Sequence, residues 1–233
     1  MLKYIINLYI LLSVSLLFSQ EAKKDSIRVT QNKKTFIENL NKFNLRIGFD
    51  IGNYIYGSTE DLKRINFYTD TNLFKDYFIS VHFGNEEYLF DNQLINMSTS
   101  GNYWMFGVDY NLYDNWPGMD NQIMLGLHYG HASFTNHLTS YIINNLDQTF
   151  PSQEVIINKD FDNLSAYWLE IQSILQVEVL KNIYLGYNIS LKYLLSEKRY
   201  DEFELTYIPG FRKVNSTSRY GFGMQYFISY RFK

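Results

Sequence analysis

From residue 45 onward the chain alternates. At its C-terminal end Tyr220, Phe222, Met224, Tyr226, Ile228, Tyr230 and Phe232 take every second position, with Gly221, Gly223, Gln225, Phe227, Ser229 and Arg231 between them. A period of two is the repeat of a strand, whose successive side chains point to opposite faces. This run therefore predicts a strand with one apolar face and one small or polar face. The same split recurs where Leu185, Tyr187, Ile189, Leu191 and Tyr193 oppose Gly186, Asn188, Ser190 and Lys192. It appears again with Leu169, Ile171, Leu175 and Val177 against Glu170, Gln172, Gln176 and Glu178, and with Trp104, Phe106, Val108 and Tyr110 against Met105, Gly107 and Asp109. Near the start, Leu45, Ile47, Phe49 and Ile51 oppose Arg46, Gly48, Asp50 and Gly52. The pattern predicts strands over 44–56, 63–71, 76–88, 99–113, 120–135, 163–180, 182–199 and 217–232.

Alternation suits a β-sandwich as well as a barrel. Three features select the barrel. The polar rows carry Arg46, Asp50, Asp109, Glu170, Glu178, Lys192 and Arg231 in mid-strand, where a sandwich would bury apolar groups and a barrel has a lumen. Most of the strands exceed ten residues, longer than the roughly five or six usual in globular sheets. Connections also alternate in length: 72–75, 114–119 and 181–182 are short, whereas 89–98, 136–162 and 200–216 are longer. The expected fold is all-β: a transmembrane, antiparallel, up-and-down β-barrel of eight strands, both ends on the short-turn side. Eight strands leave an interior that side chains fill. The seven charged residues named above should then form an internal ion-pair network, with Arg46 and Arg231 facing Asp50 and Glu178, the nearest carboxylates by depth.

The first residues read differently. Lys3 precedes an apolar run from Leu8 to Phe18, and Ser19-Gln20 opens a polar stretch. That run is too short to anchor in a bilayer and reads as a signal peptide over 1–19. Residues 20–43, with lysine pairs at 23–24 and 33–34, read as a periplasmic lead containing a short helix near Phe36–Leu40; the barrel takes 44–233. No later segment reaches the roughly 18 unbroken apolar residues of a membrane helix, so a place in a membrane requires a closed barrel. The aromatic share is 18% with only 3 Pro, which favours strands. A net charge of −3 gives no basic footprint for nucleic acid. The absence of Cys rules out disulfides, thiolate metal sites and a lipidated cysteine.

Candidate chemistry is sparse. His128, His131 and Ser133 lie close in sequence and suggest the base and hydroxyl of lipid A-modifying barrel enzymes. Parity opposes this, because it turns His128 inward and the other two outward. His131 and His137 share a face but stand about 20 Å apart in an extended chain, too far to share a metal. Asp61, Asp70, Glu86, Glu87 and Asp91 lack the regular spacing of a calcium loop and read as solvated loop charges. Residues 101–103 and 215–217 read as turns. No catalytic site, metal site or cofactor is expected.

The run carrying Tyr226, Ile228, Tyr230 and Phe232 resembles the C-terminal signal by which the barrel-assembly machinery recognises outer-membrane proteins, although Lys233 follows it. The segments Leu45–Asp50, Phe106–Trp116, Leu125–Gly130, Val179–Gly186 and Tyr207–Phe211 resemble a family of Bacteroidota outer-membrane proteins, domain of unknown function 6048. The resemblance implies a barrel and a location and brings no activity or functional residue. The expected role is a monomeric outer-membrane barrel, structural or adhesive. Its partners would be outer-membrane lipid, the barrel-assembly machinery and a surface or periplasmic protein met by the loops. The alternatives are a lipid-modifying barrel enzyme and a secreted β-sandwich binding module.

Overall fold

The computed structural model describes residues 44–52, 61–92, 94–143, 153–198, 207–213 and 218–232. The expected signal peptide, lead and Phe36–Leu40 helix lie outside the described residues, as do the end of the expected first strand and residues 215–217.

Ten strands are described. β1 is Leu45–Asp50, β2 Leu62–Phe74, β3 Tyr77–Asp91, β4 Ile95–Asn111, β5 Gln122–Ile143, β6 Gln153–Leu180 and β7 Ile183–Lys198. β8 (Tyr207–Ile208) and β9 (Arg212–Lys213) form a small hairpin, and β10 is Tyr220–Phe232. Eight of them close in the order β1-β10-β7-β6-β5-β4-β3-β2, every neighbour antiparallel. The pairing of β1 with β10, with Arg46 opposite Arg231, shuts the ring. All eight ring strands overlap the positions that the alternation predicts.

Parity holds along the walls. On β10 the side chains of Tyr220, Phe222, Met224, Ile228, Tyr230 and Phe232 are exposed, while Phe227, Ser229 and Arg231 are buried. Burial here means the lumen, and the lumen is narrow. Inward glycines make room in it for bulky neighbours directly across the ladder. Gly48 lies opposite Tyr68, and a Cβ on it would sit 1.7 Å from the Tyr68 ring. Gly130 lies opposite Trp168 and Gly186 opposite Phe227, with would-be contacts of 2.2 and 1.9 Å. A strand glycine often marks such a close approach; here it is what lets large rings fold down onto the wall.

Three expectations about the connections are corrected. Residues 89–98 are mostly strand, because β3 runs to Asp91 and β4 starts at Ile95. Residues 136–162 are largely strand too: β5 has 22 residues and β6 has 28, pairing up to Ile143 and Gln153. Both are longer than β3, β4 and β7, which have 15, 17 and 16 residues. Residues 101–103 are the middle of β4 rather than a turn. The bulk of the extension is held by side chains, since Phe134, Leu138, Phe161 and Leu164 join Met97 in an apolar cluster on the inner face. Polar-looking loop segments became strand because ladder pairing and this cluster outweigh local composition.

Candidate functional site

The lumen is built in layers, from the short-turn end upward. At the bottom, Arg46 donates through Nε and Nη2 to Asp70 Oδ2 at 2.9 and 2.7 Å, and through Nη1 to Gln122 Oε1 at 2.7 Å. Arg231 pairs with Asp120. The Tyr184 ring lies 5.4 Å from the Arg46 guanidinium and 4.6 Å from that of Arg231, and its hydroxyl donates to Asp120 at 2.8 Å. The expected partners are thus corrected. Asp70 takes Arg46 because it is the residue directly across the β1–β2 ladder. Asp50, four residues along the same strand and about 13 Å away, pairs with Arg64 at 3.5 Å instead. Glu178 is half-buried and accepts the backbone N–H of Asn182 at the β6–β7 turn.

Above an apolar layer of Tyr68, Phe78, Met124, Ile174 and Phe227 lies a polar one. Ser80 donates to Asp109 Oδ2 at 2.6 Å, and its oxygen stands 2.7 Å from His128 Nε2. His82 meets His128 edge to face at 5.3 Å. Hydroxyl, imidazole and carboxylate are together, but their polarity is wrong for a nucleophile. Ser80 has one proton and gives it to Asp109, so His128 Nε2 can only donate to the serine oxygen rather than take its proton. His128 Nδ1, where an orienting acid would bind, has no partner among the described residues. A cavity beside this layer, touching Asp70, Ser80, His82 and Asp109, leaves about 20 Å³ for the centre of a water molecule. That is room for about one water.

His128, His131 and Ser133 are not brought together. His128 is buried in the lumen, whereas Ser133 is exposed on the outer face. His131 stands in an outer row of rings, 5.6 Å from Trp104 and 4.6 Å from Tyr167. No group of three or more His, Cys, Asp or Glu among the described residues is placed to hold a metal.

The upper lumen holds what the sequence did not announce. The β8–β9 hairpin, inside the expected loop 200–216, enters the mouth and fills it. Ile208 and Phe211 are buried in the upper apolar cluster, with Phe211 edge-on to Trp168 at 6.0 Å. Gly210, at φ +76°, sits against Tyr103, where a Cβ would come within 2.5 Å of the ring. Pro209-Gly210 is the pair that a type II turn wants. Two charged side chains of the wall latch the turn. Glu86 Oε2 accepts the Tyr207 hydroxyl at 2.7 Å and the Gly210 N–H at 2.8 Å, and Lys192 Nζ donates to the Gly210 carbonyl at 2.5 Å. Burial beside the Glu86 carboxylate pushes the Tyr207 phenol up, so it remains a donor. Lys192 also faces Glu170 at 3.6 Å, and Glu170 accepts from Trp168 and Gln172.

Asp70 and Glu86, read from sequence as solvated loop charges, are therefore buried network members. Parity could have found both. Asp70 follows Asn66 and Tyr68 on one row of β2, and Glu86 follows Ser80, His82 and Gly84 on one row of β3. The hairpin had no such signal.

The family model described as "Domain of unknown function (DUF6048)" matches residues 1–232. The chain belongs to that family. Among curated proteins none matches. Its fold resembles that of outer-membrane β-barrels. The N-terminal β-barrel domain of Pseudomonas aeruginosa OprF aligns over 81% of this chain and 97% of that one, at 9% identity and a TM-score of 0.43. Ail, the attachment invasion locus protein of Yersinia pestis, aligns over 82% and 97%, at 12% identity and a TM-score of 0.38.

Proposed function

We propose that this DUF6048 chain is an exported, monomeric outer-membrane barrel of a Bacteroidota-type envelope. Its lumen is closed, and its work is structural and surface-presenting rather than catalytic or conductive. One observation carries the reading: a belt of large apolar side chains on the outer face of every ring strand. It includes Ile47, Phe67, Val81, Phe106, Leu127, Ile171, Leu191 and Ile228, all more than a third exposed. Soluble monomers rarely show continuous apolar patches beyond a few hundred Å². In lipid the same belt is the stable arrangement, with the backbone satisfied around a closed ladder. Aromatic rows flank it, Trp104, His131 and Tyr167 toward the loops and Phe74, Tyr77 and Tyr110 toward the short turns, as a membrane barrel's girdles do.

Export follows from the signal-like residues 1–19. The alternating run through Tyr226, Ile228, Tyr230 and Phe232 offers the assembly machinery its recognition pattern. The paired extensions of β5 and β6, which carry exposed Glu154, Lys159 and Asp160, are the natural place for a protein partner. The inverted Ser80–His128–Asp109 polarity, deep under the hairpin, gives no support to lipid modification.

The membrane reading is tested by electrophoresis and extraction. Unboiled protein should run at a different position from boiled protein, and it should stay with membranes in alkaline carbonate. Identical mobilities together with release into the supernatant would remove the protein from the membrane.

A further inference from the structure

Just beyond the loop-side row of rings, the outer face of β3, β4, β5 and β6 changes character. Outward positions turn from large and apolar to small and polar. Phe83 gives way to Asn85, Trp104 to Asn102 and Ser100, and His131 to Ser133 and Thr135. The small and polar ones among them, Asn85, Ser100, Asn102, Ser133 and Thr135, line an open cleft of about 590 Å³. A β-bulge shapes its far wall. Phe134 pairs with Leu164 and Asn136 with Phe161, so two residues of β6, Asp162 and Asn163, stand opposite Thr135 alone. Asn163 takes a left-handed backbone, φ 60°, and both side chains are exposed at the cleft. Bulges commonly re-aim side chains in this way beside binding sites.

From this geometry we infer that the cleft binds neutral sugar hydroxyls, and specifically the saccharide of a glycolipid in the surrounding outer leaflet. The inference rests on the membrane reading above, because that reading puts the cleft at headgroup height. Its own support is the chemistry of the lining. The polar groups are amides and hydroxyls, which both donate and accept as a sugar hydroxyl requires. Asp162 is the one charged group among the lining residues, and no Lys or Arg is among them, so the cleft has no cation for a phosphate.

The groups are also held in place. Asn85 Nδ2 donates to Asn102 Oδ1 at 2.9 Å and to the Gly101 carbonyl at 3.3 Å, leaving the Asn85 carbonyl and the Asn102 amide nitrogen for a ligand. Thr135 donates to Asp162 Oδ1 at 3.1 Å, which orients that carboxylate. Two residues along the same outward row from Asn102, outside the cleft lining, the half-exposed Trp104 ring offers a flat apolar face against which the C–H side of a sugar ring can pack. An amide–hydroxyl cleft next to an aromatic row, at the edge of the belt, matches a headgroup whose acyl chains lie along Phe106 and Val108.

The test uses the full-length barrel in lipid nanodiscs and three probes: a rough-type lipopolysaccharide, the core oligosaccharide released from it, and phosphatidylglycerol. Bound lipid is counted by native mass spectrometry, and affinity is followed by Trp fluorescence against a Trp104→Phe control. The lipopolysaccharide should bind and alter the Trp104 signal. The double variant Ser100→Ala, Asn102→Ala should weaken it about tenfold, as the loss of two net hydrogen bonds gives. Both side chains are outward and clear of the core, and heat-modifiable mobility confirms folding; Asp162→Asn serves if the pair does not fold. The free oligosaccharide should bind more weakly, with the same dependence on the variant. Equal binding of phosphatidylglycerol, or affinity of the variant within about twofold of wild type, would overturn the inference. Oligosaccharide binding as tight as that of the lipopolysaccharide would overturn the lipid source in favour of a soluble glycan. Flotation of the same protein with liposomes separates the two levels. Protein that floats but binds without regard to the variant loses only this site, whereas protein that does not float loses the membrane reading beneath it.

Discussion

Arg46 is fully buried, and its guanidinium reaches Asp70 and Gln122 within the bottom layer of the lumen. A buried ion pair is weak evidence of net stability, because desolvation of both charges offsets their attraction, but removing one partner strands the other. Arg46→Met should therefore cost about 3–5 kcal/mol in urea unfolding. Adding Asp70→Asn should recover much of that loss, whereas adding Asp50→Asn should not. Recovery with Asp50 instead would mean that the β1–β2 register is wrong. The sequence reading made Asp50 inward and left Asp70 among the solvated charges, and only the ladder puts Asp70 across from Arg46. The same holds for Arg231. Its partner Asp120 lies just before β5, at the start of the expected strand 120–135, and the sequence reading did not count it among the lumen charges.

At the scale of elements, the hairpin of β8 and β9 has two residues per strand and pairs only with itself. An isolated hairpin is marginal in water at best, so the wall must hold this one. Glu86 is the main latch, accepting from both Tyr207 and Gly210. In Glu86→Ala these two donors lose their acceptor inside the lumen, at a cost of about 1–3 kcal/mol for each group left unsatisfied. The expected result is local. Amide exchange across 207–213 should rise sharply, while the barrel keeps its heat-modifiable mobility. Unchanged protection of the Gly210 amide would show that Phe211 and Ile208 hold the hairpin without the latch. The extensions of β5 and β6 obey a similar logic, since Phe134, Leu138 and Phe161 anchor strands whose sequence reads as loop.

For the molecule as a whole, an eight-stranded ring with a filled lumen should not conduct. The hairpin shuts one mouth, the Tyr68–Phe227 layer crosses the middle, and the Arg46 and Arg231 pairs close the base. Planar bilayers containing the purified protein should show no large, steady current. A porin-like conductance would contradict both the strand count and the packing. Which parts of this were legible beforehand follows from the range of the forces. Alternation is local, because each residue's face depends on its neighbours along one strand. Residues 44–232 by themselves therefore determined the eight ring strands, the inward row with Asp109, His128, Glu170 and Lys192, and the outward belt. Register, by contrast, belongs to pairs of strands. Arg46 with Asp70, Gly48 beneath Tyr68, and the Asp162–Asn163 bulge over Thr135 exist only once two ladders are set side by side. The plug lies farther still from the sequence. Tyr207 reaches Glu86 across 121 positions, and nothing near Pro209-Gly210 distinguishes a turn that enters the lumen from one that stays in water. That was decided by a mouth of the right width, apolar above and charged at Glu86 and Lys192, which only the closed barrel creates.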